Sequence, residues 1–255
     1  MAGLLFLAGC SGDDEPEYVE RPVGELYNQA QDLLEARDFE EAAYAFEEVE
    51  RQHPYSEWAV RAQLMAAFSF YEAQLYDEAV AAADRFIELH PGNDDAPYAY
   101  YLVGTSYYEQ ISDVGRDQEM TRRALDSFDE LVRRFPDSAY ARDAELKIDL
   151  ARDHLAGKQM EIGRFYLNRY EYVAAINRFR TVIEDYQTTT HVPEALYRLT
   201  EAYLALGVFQ EAQSSAAVLG YNYPNSRWYN RSYALLEEED LAPLGQEESW
   251  LSSVF

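Results

Sequence analysis

Three residue types in this 255-residue chain could carry reaction chemistry: one cysteine, four histidines, and 47 aspartates and glutamates. A metal centre needs such groups at ligand spacing, and a nucleophile needs a base within hydrogen-bond reach. His53 and His90 each stand immediately before a proline, Pro54 and Pro91, as turn residues would. His154 and His191 have no carboxylate or cysteine cluster beside them at ligand spacing. The carboxylates come in runs, Glu40-Glu41, Glu47-Glu48 and Glu237 to Asp240, which on a helix surface are solvated charge. These patterns point away from an enzyme and away from a metal or a dissociable cofactor. What remains is non-covalent chemistry. The 22 Tyr and 12 Phe offer large contact surfaces at small entropic cost.

The cysteine's surroundings give it a separate role. The chain starts Met1-Ala2-Gly3-Leu4-Leu5-Phe6-Leu7-Ala8-Gly9-Cys10-Ser11. This apolar run is far shorter than the ~20 residues that cross a bilayer, and small residues sit directly ahead of Cys10, as at a signal-peptide cleavage site. Leu7-Ala8-Gly9-Cys10 resembles the bacterial lipobox at all four positions. That resemblance implies a diacylglycerol on the thiol, cleavage before Cys10 and acylation of the new amino group, so the one attached group expected is a covalent lipid on Cys10. No Lys or Arg precedes the apolar run, so residues 1–9 read as an apparently truncated signal peptide. Several acyl chains together hold a protein to a membrane where a single one binds marginally. Ser11 resembles the choice made by lipoproteins sent to the outer membrane. Residues 10–23, with Asp13, Asp14, Glu15, Pro16, Glu17 and Pro22, read as an acylated tether.

The elements that position the aromatic residues follow from composition and periodicity. Apolar residues make up 48% of the chain, enough for a core, and long Ala/Glu/Arg/Leu/Tyr runs predict an all-α fold. Lys and Arg total 21, so the net charge is −26, which disfavours nucleic acid as a partner. From Gly24 onward five segments align. In the first, Ala30, Ala42 and Pro54 are spaced by twelve residues, and in the second so are Ala67, Ala79 and Pro91. The others are carried by Gly104, Ala124 and Pro136, by Gly163 and Ala175, and by Thr200, Ala212 and Pro224. A small residue in each helix lets two axes approach, larger residues a turn later fill the groove, and proline ends the second helix. Asp38, Asp77 and Gly207 stand just before the second helices, where start or stop residues belong. The pattern resembles the tetratricopeptide repeat (TPR), whose hairpins cannot bury their apolar faces alone and therefore stack. It implies an α-solenoid of about five TPR-like hairpins wound as a right-handed superhelix.

Two irregularities divide the array. The step from Gly104 to Ala124 is twenty, so about eight residues, Ser112 to Glu119, are inserted within repeat three. A further helical stretch, Ala139 to Ala156, is expected to join the next helix as one long element. The expected organisation is an N-terminal half over residues 24–136, a C-terminal half over 137–224, and a helix and tail over 225–255. Trp250, Leu251, Val254 and Phe255 in that tail form an apolar segment suited to docking.

Repeat arrays expose a concave face lined by the first helix of each hairpin. In the first three repeats the register places Tyr27 and Leu34, then Arg61, Leu64, Phe68 and Tyr71, then Tyr98, Tyr101 and Tyr108 on that face, as a groove for a peptide bearing aromatic residues. The second half groups Arg164, Arg169, Arg178, Arg180 and Arg198, with Tyr197 beside them, as a surface for an acidic partner domain. Some of these arginines are expected to pair with Glu161, Glu171, Glu194 or Glu201.

The lipobox, the repeats, the insert Ile111-Ser112-Asp113-Val114-Gly115-Arg116-Asp117-Gln118, and the runs Tyr98-Ala99-Tyr100-Tyr101-Leu102, Arg134-Phe135-Pro136-Asp137-Ser138-Ala139-Tyr140 and Gly220-Tyr221-Asn222-Tyr223-Pro224-Asn225-Ser226 together resemble the BamD family. Its members are TPR lipoproteins of the β-barrel assembly (BAM) complex. The resemblance covers nearly residues 7–230. It implies a lipid-anchored protein on the periplasmic face of the outer membrane. Its N-terminal repeats would contact C-terminal segments of unfolded outer-membrane proteins, and its C-terminal repeats the POTRA domains of BamA, alongside other BAM lipoproteins. The alternative is another periplasmic TPR lipoprotein, such as a secretin pilotin or a cell-division or peptidoglycan-associated factor.

Overall fold

The computed structural model describes residues 20–242, and among them eleven α-helices and no strand. They are α1 (Val23–Ala36), α2 (Phe39–Gln52), α3 (Glu57–Glu72), α4 (Tyr76–Leu89), α5 (Ala96–Glu109), α6 (Glu119–Arg134), α7 (Ala141–Asn168), α8 (Tyr172–Asp185), α9 (Val192–Ala205), α10 (Phe209–Asn222) and α11 (Arg227–Glu238). Each helix packs on the next, and α1, α3 and α5 also pack side by side, as do α9 and α11, giving a solenoid of TPR-like hairpins. Cys10 and the tail beyond Ala242 lie outside the described residues.

The turns repeat with the hairpins. Arg37, Gln74, Tyr170 and Gly207 all have φ between 62° and 72°, each two residues before the second helix of its hairpin. The following amide then donates back into the first helix: Asp38 to the Leu33 carbonyl, Leu75 to Phe70, Glu171 to Tyr166 and Val208 to Tyr203, at 2.9–3.0 Å. Only Gly207 adopts this left-handed conformation without steric cost; for the other three it costs roughly 1–2 kcal/mol. Asp38 does precede α2, but α4 begins at Tyr76, so Asp77 lies inside its first turn. Between hairpins the carbonyls of His53, His90, Phe135, Tyr186 and Tyr223 each accept from the amide three residues on, at 3.0–3.1 Å. Ser56 and Ser226 then cap α3 and α11 with their hydroxyls.

Size complementarity between paired helices accounts for the small residues. A Cβ added to Gly104 would meet the Phe128 ring at 2.5 Å, and one on Gly163 would clash with the edge of the Phe179 ring. In the last hairpin the order is reversed: the larger Thr200 sits in the first helix and the small Ala216 in the second, both fully buried.

Buried side chains gather into three cores, one over α1 to α5, one around α5, α6 and the start of α7, and one from the end of α7 to α11. The 28-residue α7 places Ala144 and Ile148 in the middle core and Ala156, Met160 and Leu167 in the last. The two halves therefore share a helix rather than meeting at a linker. The insert braces this junction. His154 Nε2 donates to the Ser112 carbonyl at 2.9 Å, and Lys158 Nζ to that of Gly115 at 2.9 Å. On the same stretch Asp153 accepts from the Thr190 amide and hydroxyl at 3.0 and 2.8 Å, tying α7 to the turn before α9. His191 Nε2 lies 3.6 Å from Asp153, so the two histidines without a sequence-level partner both serve this junction. No group of three or more potential metal ligands occurs among the described residues.

Candidate functional site

The expected groove divides into an open end and a packed run. At the open end, a cleft of about 780 Å³ is bounded by Tyr27 of α1, Trp58, Arg61, Leu64 and Met65 of α3, and Asp94 and Asp95 ahead of α5. Tyr27 is wedged between Phe46 and Trp58, with ring centroids 5.4 and 4.7 Å away, so its face is fixed by the core beneath. Trp58 remains 40% exposed and Leu64 forms the buried floor. Arg61 is exposed and makes no hydrogen bond or ion pair among the described residues. Arg61 is the one basic group lining the cleft, which also holds Glu57, Asp94 and Asp95, so a carboxylate adjoining an aromatic residue would meet the guanidinium against nearby negative charge. Leu34 is half-buried against the first core.

Further along, the aromatic residues hold one another. Phe68 faces Tyr98 at 6.5 Å, Tyr71 faces Tyr76 at 6.0 Å, and Tyr140, in the connector before α7, lies 5.2 Å from both Tyr98 and Tyr101. Tyr101 donates to Asp143 at 2.6 Å, and Lys147 reaches the same carboxylate at 2.5 Å while sitting 5.7 Å from the rings of Tyr101 and Tyr108. Tyr108 packs on Phe128 at 6.2 Å. Burial pushes the phenols of Tyr71, Tyr98 and Tyr101 above their usual range, and the bond to Asp143 adds to this for Tyr101. Hydrogen bonds from Lys147, then Tyr101, hold the Asp143 carboxyl below its usual range against partial burial. This run is a rigid aromatic wall between α3, α5 and α7 rather than an empty channel.

Several residues of the site lie beyond the sequence reading, among them the polar pair Asp143 and Lys147 and the aromatic residues Trp58 and Tyr140. Trp58 stands three residues before Arg61 on the same helical stripe, a spacing that could have found it. Tyr140 joins the wall through tertiary packing that no local pattern announces.

The arginines of the second half are engaged internally. Arg164 pairs with Glu194 at 3.3 Å, Arg169 with Glu171 at 3.1 Å and Arg180 with Glu184 at 2.7 Å. Arg198 reaches Glu194 at 3.5 Å and Glu201 at 2.7 Å. Glu161 goes to Lys158 instead. Arg178 differs in having a neutral partner, Gln159 Oε1 at 3.3 Å. Tyr197 stacks on Trp228 of α11, 5.2 Å between centroids, and burial raises its phenol. The exposed pairs, Arg169 with Glu171 and Arg180 with Glu184, contribute about 0–1 kcal/mol each, so a partner can exchange them at small cost, whereas Arg198 and Glu194 are largely covered.

Comparison with known proteins adds ancestry to this geometry. Residues 19–219 match the model of the YfiO family, described as outer membrane lipoprotein. The outer membrane protein assembly factor BamD of Caulobacter vibrioides is 51% identical over 93% of this chain and 79% of its own. BamD of Rickettsia prowazekii is 48% identical over 91% and 93%. Among solved structures, the P58(IPK) TPR domain aligns with a TM-score of 0.44 at 14% identity, over 86% of this chain and 57% of its own. On the strength of the family match and these relatives, the chain belongs to the YfiO family of outer membrane lipoproteins, whose related members are the assembly factors named BamD.

Proposed function

We propose that this protein is an outer-membrane assembly factor of the BAM complex that works by binding and performs no chemistry. Cys10 carries the lipid that anchors it to the outer membrane at the periplasmic face. The cleft between Tyr27 and Trp58 takes an aromatic residue near the C-terminus of an unfolded barrel protein, and Arg61 meets a neighbouring carboxylate. The wall from Phe68 through Tyr98 and Tyr101 to Tyr108 guides the rest of the segment. The POTRA domains of BamA dock on the face carrying Arg164, Arg169, Arg178, Arg180, Tyr197 and Arg198, and other BAM lipoproteins join the same assembly.

The observation that carries the client reading is the open cleft itself: an exposed tryptophan, a tyrosine fixed by the core and an arginine with no internal partner converge on one concavity. Aromatic and arginine anchors in such positions dominate binding energy. The test is photocrosslinking from position 61 to a C-terminal peptide of a barrel protein. Labelling is expected to fall when the aromatic residues of the peptide are scrambled; labelling that ignores the scramble overturns the client assignment.

A further inference from the structure

Exposed apolar side chains gather at the hairpin turns of the last two repeats. Tyr170 and Val173 flank the turn between α7 and α8, and Leu206, Val208 and Phe209 surround the one between α9 and α10; all five are between 40 and 77% exposed. Tyr170, Val173 and Leu206 line one open cleft of about 520 Å³, so the two turns form a continuous patch. At the equivalent places in the first two hairpins Phe39, Leu75 and Tyr76 are half-buried. Glu171 is the one charged residue lining the cleft, and it is paired with Arg169, so the patch offers an occupant apolar contact and little else. Contiguous apolar surface of this kind marks a place that something covers.

The chain's own course supplies the occupant. Past α11, Asp240 takes φ 54° and the Leu241 amide donates to the Leu236 carbonyl at 2.9 Å, the geometry of the hairpin turns after α1, α3, α7 and α9. Leu241 packs on the last core and Gln213 donates to the Ala242 carbonyl, so the chain is turned back and leaves beside α10, one helical turn from Phe209. Residues 243–255 follow, and Trp250, Leu251, Val254 and Phe255 among them have the spacing of one side of a helix. We propose that the segment 243–255 docks on the patch of Tyr170, Val173, Leu206, Val208 and Phe209, covering the turn edge of the C-terminal hairpins. From Ala242 to Trp250 the chain can span up to ~26 Å at ~3.3 Å per residue. Packed helices lie ~8–10 Å apart, so this length reaches from α10 across α9 to the start of α8. A tether this short holds the segment at an effective concentration on the order of millimolar, enough for an apolar contact that would not retain a free partner. The patch is separate from the Trp58 cleft.

The experiment uses the purified full chain with Cys10→Ala, which dispenses with detergent, and follows backbone hydrogen exchange by mass spectrometry. Amides of residues 244–255 are expected to exchange at least tenfold more slowly than in a free peptide of the same sequence. Val173→Asp with Phe209→Asp should return them to the peptide's rate. Both sites lie in the first turn of a helix, where aspartate is favoured, so the fold should persist. Val173→Leu with Phe209→Leu should keep the protection, and a benzophenone side chain at position 173 should crosslink to residues 244–255 of the same chain. Peptide binding at the Trp58 cleft should be the same in every variant, so failure here is separable from failure of the assembly reading. Three results would each overturn the proposal: exchange at the peptide's rate before any change to the patch; protection that survives the double aspartate variant, which would seat the segment elsewhere; or crosslinks that join two chains, which would make a second copy the occupant.

Discussion

Tyr101 of α5 donates a 2.6 Å hydrogen bond to Asp143 of α7, forty-two residues along the chain. Lys147 closes on the same carboxylate from one turn further, so the aromatic wall is pinned to the long helix by a half-buried polar triad. Tyr101→Phe should therefore destabilise the protein by about 1 kcal/mol at neutral pH, the usual net worth of one such bond. Urea unfolding measures it, and a loss below a few tenths would mean that the triad adds nothing.

The same triad gives acid sensitivity with a defined sign. The Asp143 carboxyl is held below its ordinary value, so its stabilisation is complete at neutral pH and is lost as pH falls through the depressed folded value. Asp143→Asn should lower stability at pH 7 and narrow the gap to wild type near pH ~3. An equal deficit at both pH values would contradict the linkage.

Gly163→Ala tests the packing of the last core. The added methyl would clash with the edge of the Phe179 ring, and overpacking of this kind costs about 1–3 kcal/mol, more than the helix propensity gained by alanine. A lowered thermal midpoint is expected, with recovery in a double variant that also carries Phe179→Leu. Absence of any drop would show that α7 and α8 can separate freely.

At the cleft, Trp58→Ala should weaken binding of a barrel-derived C-terminal peptide by roughly tenfold or more, as truncation of a central aromatic anchor does. Arg61→Glu should do the same for a peptide with a free terminal carboxylate and have less effect on its amidated form. Titration of both peptides separates the two contributions. Arg61 is exposed and unpartnered among the described residues, so its change should leave the thermal midpoint unaltered, whereas Trp58→Ala should lower it modestly because it removes the ring that packs on Tyr27.

Cys10→Ala should leave the chain unlabelled by radioactive palmitate and release it from the outer membrane on fractionation. Retention of label on the variant would refute acylation at this residue.

The repeat spacing was readable because close helix packing imposes it: Gly104 and Gly163 can be nothing larger while Phe128 and Phe179 lie against them. The twelve-residue step and the prolines marked the turns, yet the left-handed residues Arg37, Gln74 and Tyr170 left no trace, since their conformation is imposed by the hairpin rather than by their type. The groove was legible as a stripe but not in its depth. Whether a tyrosine on the stripe is open, like Tyr27 beside the cleft, or spent on a neighbour, like Tyr98 against Tyr140, depends on contacts between residues far apart in sequence. The arginine surface shows the same limit, because Glu194 and Glu201 sit within one or two turns of Arg198, whereas its association with Trp228 requires α11 to return across α9.

Helix α7 spans about 42 Å at 1.5 Å per residue. Its first turn is fastened to the aromatic wall through Asp143, and its last third forms the core beneath the arginine face. A continuous helix without proline or a hinge cannot shorten, so the interval between the aromatic wall at one end and the arginine face at the other is set like the marks on a ruler.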